Sequence, residues 1–228
     1  MPGRITLSAS YDELQQAFPE VALPDKYQPR YNIAPQDPIG VISNANPNTL
    51  DHMIWGLIPS WEKGLKMTTF LANARSETID SKPAFRAAFS RRRCLIPADG
   101  YYEWIKVRGV RAKKAYHVHM KDRRSFAFAG IWESWQSMDG SEVISCATIT
   151  CAPNPLVAQI HHRMGVILEP KNYQQWLSKE LFDPKSLLPL LAPFPAEKMS
   201  FVQVSDQVRD MQNNSPDLID PLGEIDTI

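Results

Sequence analysis

Three stretches place side chains able to do chemistry at short, regular spacing. In "ADGYYEWIKV", Glu103 sits between Tyr102 and Trp104 on a strand-like run. Successive side chains of an extended chain point to opposite faces, so both aromatic neighbours lie across the strand from the carboxyl. A carboxyl in a partly desolvated pocket titrates high and can hold a proton to donate, which fits a general acid; on a strand edge in water it is an ordinary glutamate. "AQIHHRMGVIL" offers His161 and His162 before an apolar run, and at most one of them faces a given site. "FLANARSETID" alternates Asn73, Arg75 and Glu77. If extended, it projects an amide, a guanidinium and a carboxylate together. Such a set suits a phosphate and a sugar oxygen, or else makes a surface Arg75–Glu77 pair of little energetic value.

Two further patterns are weaker. His117 and His119 alternate in "YHVHM" and can share a face, but zinc takes three or four protein ligands and no acidic or cysteine partner is evident nearby, so no metal is expected. "WGLIPSW" brackets a Pro59 turn with Trp55, read as core, and Trp61, read as exposed and able to stack on an unpaired base. Cys94, Cys146 and Cys151 are odd in number and lack CxxC spacing, which argues for buried free thiols.

The elements that must hold these groups are mostly strands. Ser10 and Glu13 fit a capping box, so a short helix is predicted near residues 10 to 18. "ALPDKYQPRYNIAPQDPIG" carries Pro24, Pro29, Pro35 and Pro38 and reads as an extended loop without regular structure, feeding a strand at "IGVIS". Further strands are predicted at "HMIWGL", "RCLIP", "YYEWIKV", "AYHVHM", "FAFAGIW", "EVISCATIT" and "GVILE", and helices at "PAFRAAFS", "KNYQQWLSKE" and "DPKSLLPLL". Many strands with few helices, and no βαβ alternation, predict an α+β fold with a β-rich mixed core and peripheral helices, one domain spanning 1–228.

At 228 residues with 43% hydrophobic content the chain can bury a sizeable core. It shows neither an 18-residue apolar run nor a signal-peptide pattern, so a soluble, cytoplasmic, monomeric protein is expected. The formal net charge is zero, but residues 82–124 hold thirteen of the 25 Lys and Arg against Asp99, Glu103 and Asp122. A basic face is expected there, and an acidic C-terminal segment set apart from it; the plainer alternative is a solvated charged surface.

Taken in order, "RYNIAP", "WGLIPSW", "NARSET", "RRCLIPADGYYEW", "IHHRMGVIL" and "VSDQVRDMQNNSPDLIDPL" resemble the SOS-response-associated peptidase (SRAP) family across nearly the whole chain. The resemblance implies a single α+β domain with a basic groove for single-stranded DNA, no cofactor, and covalent attachment to abasic sites. In that family Met1 is removed, the exposed N-terminal cysteine attacks the sugar aldehyde, and amine and thiol close a thiazolidine. It implies Asn73 as the residue orienting the sugar and the N-terminal residue, Glu103 as acid or base in ring opening, and His161 as proton shuttle. Gly3, Arg4, Trp61 and Arg75 would contact DNA, Arg4 and Arg75 through flanking phosphates. Self-removal of Met1 is the only proteolysis this layout makes sensible, since no Ser, Cys or Thr is paired with His in a recognisable spacing.

The chain departs from the family at two positions. It opens "MPGR" where the family has "MCGR", so Pro2 stands at the nucleophile and no thiazolidine can form; Gly165 stands where the family usually has proline. A free N-terminal proline is a secondary amine that attacks aldehydes, and its iminium is an electron sink favouring β-elimination. The alternatives are non-covalent binding of damaged single strands, or a proline that replaces the cysteine by engineering or error. If Met1 is retained, the Pro2 nitrogen is an amide and inert.

Overall fold

The computed structural model describes residues 2–63, 70–106, 112–137, 140–180 and 183–223. In chain order the elements are β1 (Ile5–Leu7), α1 (Tyr11–Ala17), β2 (Arg30–Ile33), β3 (Pro38–Ser43), β4 (Asp51–Trp55), β5 (Asn73–Arg75), α2 (Pro83–Arg91), β6 (Arg93–Ala98), β7 (Gly100–Ile105) and β8 (Lys114–Met120). There follow β9 (Phe126–Gln136), β10 (Glu142–Cys151), β11 (Met164–Gly165), β12 (Ile167–Leu168), α3 (Tyr173–Leu177) and β13 (Met199–Gln203). Strands β10, β4, β3, β6 and β9 pair in that order, and β9 pairs back to β10, closing a five-stranded barrel. Closure leaves the barrel strands no open edge. The β10–β4 and β10–β5 pairs are parallel, so the sheet is mixed.

The second sheet runs β13-β8-β7-β1-β2 and is antiparallel throughout. Its register sorts the side chains. Ile5 pairs Tyr101 and Tyr101 pairs Val118, so these share one face and pack into the barrel core, where Tyr101 meets Phe128 edge-on at 5.8 Å. Glu103 pairs Tyr116 on that same face. Thr6, Gly100, Tyr102, His117 and His119 occupy the opposite face. The C-terminal segment covers part of that opposite face with Val208 and Leu218 against Tyr102, Ala115, Val202 and Val204.

The capping box of α1 forms as predicted: Glu13 N–H donates to Ser10 Oγ and Ser10 N–H to Glu13 Oε2. Trp55 is core, Trp61 is exposed, and the three cysteines are buried and free. Several expectations are corrected. The proline-rich segment contains β2, because its four residues fit between Pro29 and Pro35 with one to spare and the strand lies at a sheet edge where its neighbours need no second partner. "GVILE" is not one strand: β11 pairs β10 and β12 pairs β9. The stretch "DPKSLLPLL" winds as a 3-10 helix, Pro184–Leu191, with Pro189 removing a donor inside it. The short β1 and β13 were not foreseen; three and five residues leave little periodicity to read.

The charge expectations also change. The basic run is divided between the barrel side, where α2 and β6 lie, and the antiparallel sheet, where β7 and β8 lie. Arg93 is buried and spends its guanidinium on the carbonyls of Phe89, Ser90, Trp176 and Ser178, while Arg92 pairs with Glu133 at 2.6 Å. These two cannot contribute to a basic surface. Nor is the acidic C-terminal segment set apart: Asn32 Nδ2 donates to the carbonyls of Val208, Asp210 and Asn213, and Arg209 reaches the Lys113 carbonyl.

Candidate active site

The end of β10 organises the site. β5 runs parallel to it with Asn73 opposite Thr148 and Arg75 opposite Thr150, while β11 pairs Gly165 with Thr150. This brings Asn73 and the turn containing His161 to one end of the same strand. Pro2 is buried, and its carbonyl accepts a hydrogen bond from Asn73 Nδ2 at 3.4 Å. Asn73 Oδ1 and Thr148 Oγ1 are buried acceptors with no hydrogen-bond partner among the described residues. Such groups are costly unless something completes them.

Glu103 is 5% exposed. Burial pushes its carboxyl up to about 7, opposed by the positive charge of the chain's N-terminus and by Lys113. Near neutral pH it therefore divides between acid and base forms. His161 is half-buried; its Nδ1 lies 3.0 Å from both the backbone nitrogen and the carbonyl of Arg163. Burial and then the N-terminal charge lower its pKa, so the neutral imidazole dominates near pH 7. Glu103 and His161 thus both feel the N-terminal charge, and Asn73 touches Pro2 directly.

The remaining expected residues fall outside that group. Gly3 has no heavy atom within 4 Å of where a side chain would start, so the backbone there is open to a close approach. Arg75 is exposed at the end of β5 beside Asn73. Trp61 is 56% exposed in the turn after Pro59. Arg4 donates to Asn32 Oδ1 at 2.7 Å and to the Val208 carbonyl at 3.0 Å, with its guanidinium over the Trp104 ring at 5.9 Å. Most of its donors are committed to the C-terminal segment, on the face of β7 opposite Glu103.

Glu77 does not continue the Asn73–Arg75 face, because Ser76–Thr78 turns as a 3-10 helix. Its carboxylate instead takes both Nη atoms of Arg163 at 2.5 and 2.8 Å, and Arg163 also donates to the Thr150 carbonyl. This pair ties the His161 turn to β10 and joins residues 86 apart, so no local spacing announces it. Lys113, whose charge reaches both Glu103 and His161, was likewise missed; it lay unremarked among the other cations of the basic run. His117 and His119 are a packed pair with rings 5.6 Å apart, and no group of three metal-ligating side chains gathers among the described residues.

A closed mixed barrel with an antiparallel sheet against it, the chain's first strand lying within that sheet, defines a class of α+β domain seen in known structures. A crystal structure of a Bacteroides thetaiotaomicron protein matches with a TM-score of 0.85 at 25% identity, over 97% of this chain and 100% of that one. The chain belongs to the SOS response associated peptidase (SRAP) family, whose profile matches residues 1–211. Abasic site processing protein YoqW of Bacillus subtilis is 40% identical over 223 residues, covering 96% of this chain and 99% of that one. Abasic site processing protein HMCES of Pongo abelii is 29% identical, over 96% of this chain and 73% of its own length. Among the described residues no helix is long and apolar enough to cross a membrane.

Proposed function

We propose that this protein processes abasic sites in single-stranded DNA through the amine of Pro2, set free when Met1 is removed. The observation that carries the reading is the buried Pro2 held by Asn73, with a buried Glu103 whose carboxyl is pushed up to about 7 by burial. The names of YoqW and HMCES support the substrate class. Without a thiol no thiazolidine forms, so the chemistry differs from that implied by the family resemblance.

The steps use this chain's own groups. The Pro2 nitrogen adds to the C1′ aldehyde of the ring-opened sugar and loses its proton. Glu103, protonated, gives a proton to the carbinolamine hydroxyl, which leaves as water while the nitrogen lone pair forms the iminium. The cation acidifies the C2′ hydrogens. Removal of one by the Glu103 carboxylate or the neutral His161 sends its electron pair toward C3′ and expels the 3′-phosphate. Water then hydrolyses the iminium, returning the amine and releasing an unsaturated aldehyde end. Arg75 and Trp61 engage the strand by phosphate pairing and base stacking.

The test combines intact mass of the protein with an abasic single-stranded oligonucleotide. With Met1 absent, borohydride should trap a covalent adduct, and without it the strand should be cut. Binding with neither trapping nor cleavage would leave a non-covalent binder in place of a lyase.

A further inference from the structure

Trp61 stands 56% exposed on a turn that the fold holds from several sides. The loop that carries it leaves β4 after Trp55 and returns to β5 at Asn73, and its base is closed just short of both strands. Leu57 and Leu71 exchange backbone hydrogen bonds at 3.1 and 3.0 Å, and the Trp55 indole N–H donates to the Ala72 carbonyl at 3.0 Å, one residue before Asn73. Gly56, at φ 145°, leaves room for Phe70, whose Cβ would lie 2.9 Å from a side chain begun there. The loop that displays Trp61 therefore ends on the residue that touches Pro2.

Beyond that base the turn is tied to the barrel at two points. The Ile58 N–H donates to the buried Ser145 Oγ of β10 at 2.9 Å, and the Trp135 indole N–H of β9 donates to the Glu62 carbonyl at 2.7 Å. Between these ties the Glu62 N–H closes on the Pro59 carbonyl at 3.0 Å. Trp135 is 4% exposed, so packing fixes its ring and makes its N–H a rigid post. A buried indole usually finds a partner for its N–H. Here the partner lies 73 residues away in a surface turn, on the residue next to the exposed indole. The Glu62 side chain is occupied within the turn, accepting from the Lys63 N–H at 3.1 Å.

An exposed indole on a slack turn would have to be ordered each time it stacked, and that ordering cost offsets part of the stacking energy. A turn fixed beforehand avoids most of it. We infer that Trp135 and Ser145 are positioning residues for single-stranded DNA: they hold the turn from Pro59 to Glu62 so that Trp61 presents its ring to an unpaired base at a set distance from Asn73. Both are buried and act through Trp61. The inference rests on the reading of Trp61 as a base-stacking residue given above.

The experiment is a mutant cycle, read by fluorescence anisotropy on a single-stranded oligonucleotide without an abasic site. Trp61→Ala should weaken binding about tenfold, the loss of one stacked base. Trp135→Phe keeps a buried ring and removes the N–H; it should weaken binding about fivefold with the slope of log affinity against log salt unchanged, because no phosphate contact is lost. In the Trp61→Ala background the same change should add less than about twofold. Ser145→Ala loosens the other tie and should show the same pattern, so the result does not depend on the folding of one variant. A loss that persists at full size in the Trp61→Ala background, a flattened salt slope, or undiminished binding in Trp61→Ala or in both tie variants would overturn the inference and leave the abasic-site chemistry standing. Failure of the parent to bind single-stranded DNA would overturn both.

Discussion

Asn73 Nδ2 donates to the Pro2 carbonyl across 3.4 Å, joining the parallel strand β5 to the chain's second residue, while Asn73 Oδ1 is buried with no hydrogen-bond partner among the described residues. A hydrogen bond of that length contributes little to folding, so the contact orients more than it stabilises. Asn73→Ala should change unfolding free energy by no more than about 1 kcal/mol. Misplacing the amine should still slow single-turnover strand cleavage by about 10²-fold. A collapse of the thermal midpoint in this variant would make Asn73 a structural residue.

Glu103 couples stability to pH with a definite sign. Its carboxyl titrates near 7 in the fold against an ordinary 4.5, so the folded state binds the proton more tightly. Its contribution is fully present below about 4.5 and is lost as pH rises to about 7, a change of up to about 3 kcal/mol. Glu103→Gln, which cannot ionise, should therefore be more stable than the parent at pH 8 and equal to it at pH 4, by urea unfolding. Turnover of the parent should decline above pH 7 as the acid form disappears, and the variant should be about 10²-fold slower while still binding DNA.

Gly165 and Phe128 are fitted to each other. A Cβ at Gly165 would enter the Phe128 ring, and that ring packs edge-on against Tyr101 two residues before Glu103. Gly165→Ala should cost about 1–3 kcal/mol by overpacking. Phe128→Leu should return most of that loss, which a double-mutant cycle on thermal midpoints would measure. Additive losses would mean that the two positions are independent.

How much of this could be read beforehand divides along sequence separation. The capping box of α1, the alternation that buries Trp55 and the long strands β9 and β10 are local patterns and were legible. The barrel closure between β9 and β10 and the Glu77–Arg163 pair are contacts between distant residues, and nothing in local spacing encodes them. Charge runs misled because sequence does not say which cations fold inward: Arg93 looked like surface and is a buried bracket for four carbonyls. The site residues were named through the family resemblance, since an alternating Asn73 and Arg75, or a lone His161, reads equally well as ordinary surface.

Arg75 stands exposed at the end of β5, whereas Lys179 contacts the Ala45 carbonyl well away from Asn73 in the sequence and on no element of the site. If DNA runs past β5, Arg75→Glu should weaken single-stranded DNA binding more than Lys179→Glu does. It should also flatten the slope of log affinity against log salt by roughly 0.7. Equal effects at the two positions in a fluorescence-anisotropy titration would place the strand elsewhere.

The last test concerns Pro2 itself. If Asn73, Glu103 and His161 serve the N-terminal residue, the site lacks only a thiol, and Pro2→Cys should restore a stable covalent adduct with abasic single-stranded DNA. Cysteine and proline both leave residue 2 small enough for Met1 removal, so the two proteins can be compared after their N-termini are checked by mass. A thiol and amine on adjacent carbons close a five-membered ring that survives heating, whereas the proline iminium persists only when reduced. The parent should therefore give cleaved strand, or a trapped adduct with borohydride, and the variant a heat-stable adduct without it. A variant with a correctly exposed thiol that forms no adduct would show that the pocket around residue 2 has diverged, and the abasic-site reading of this chain would fall with it.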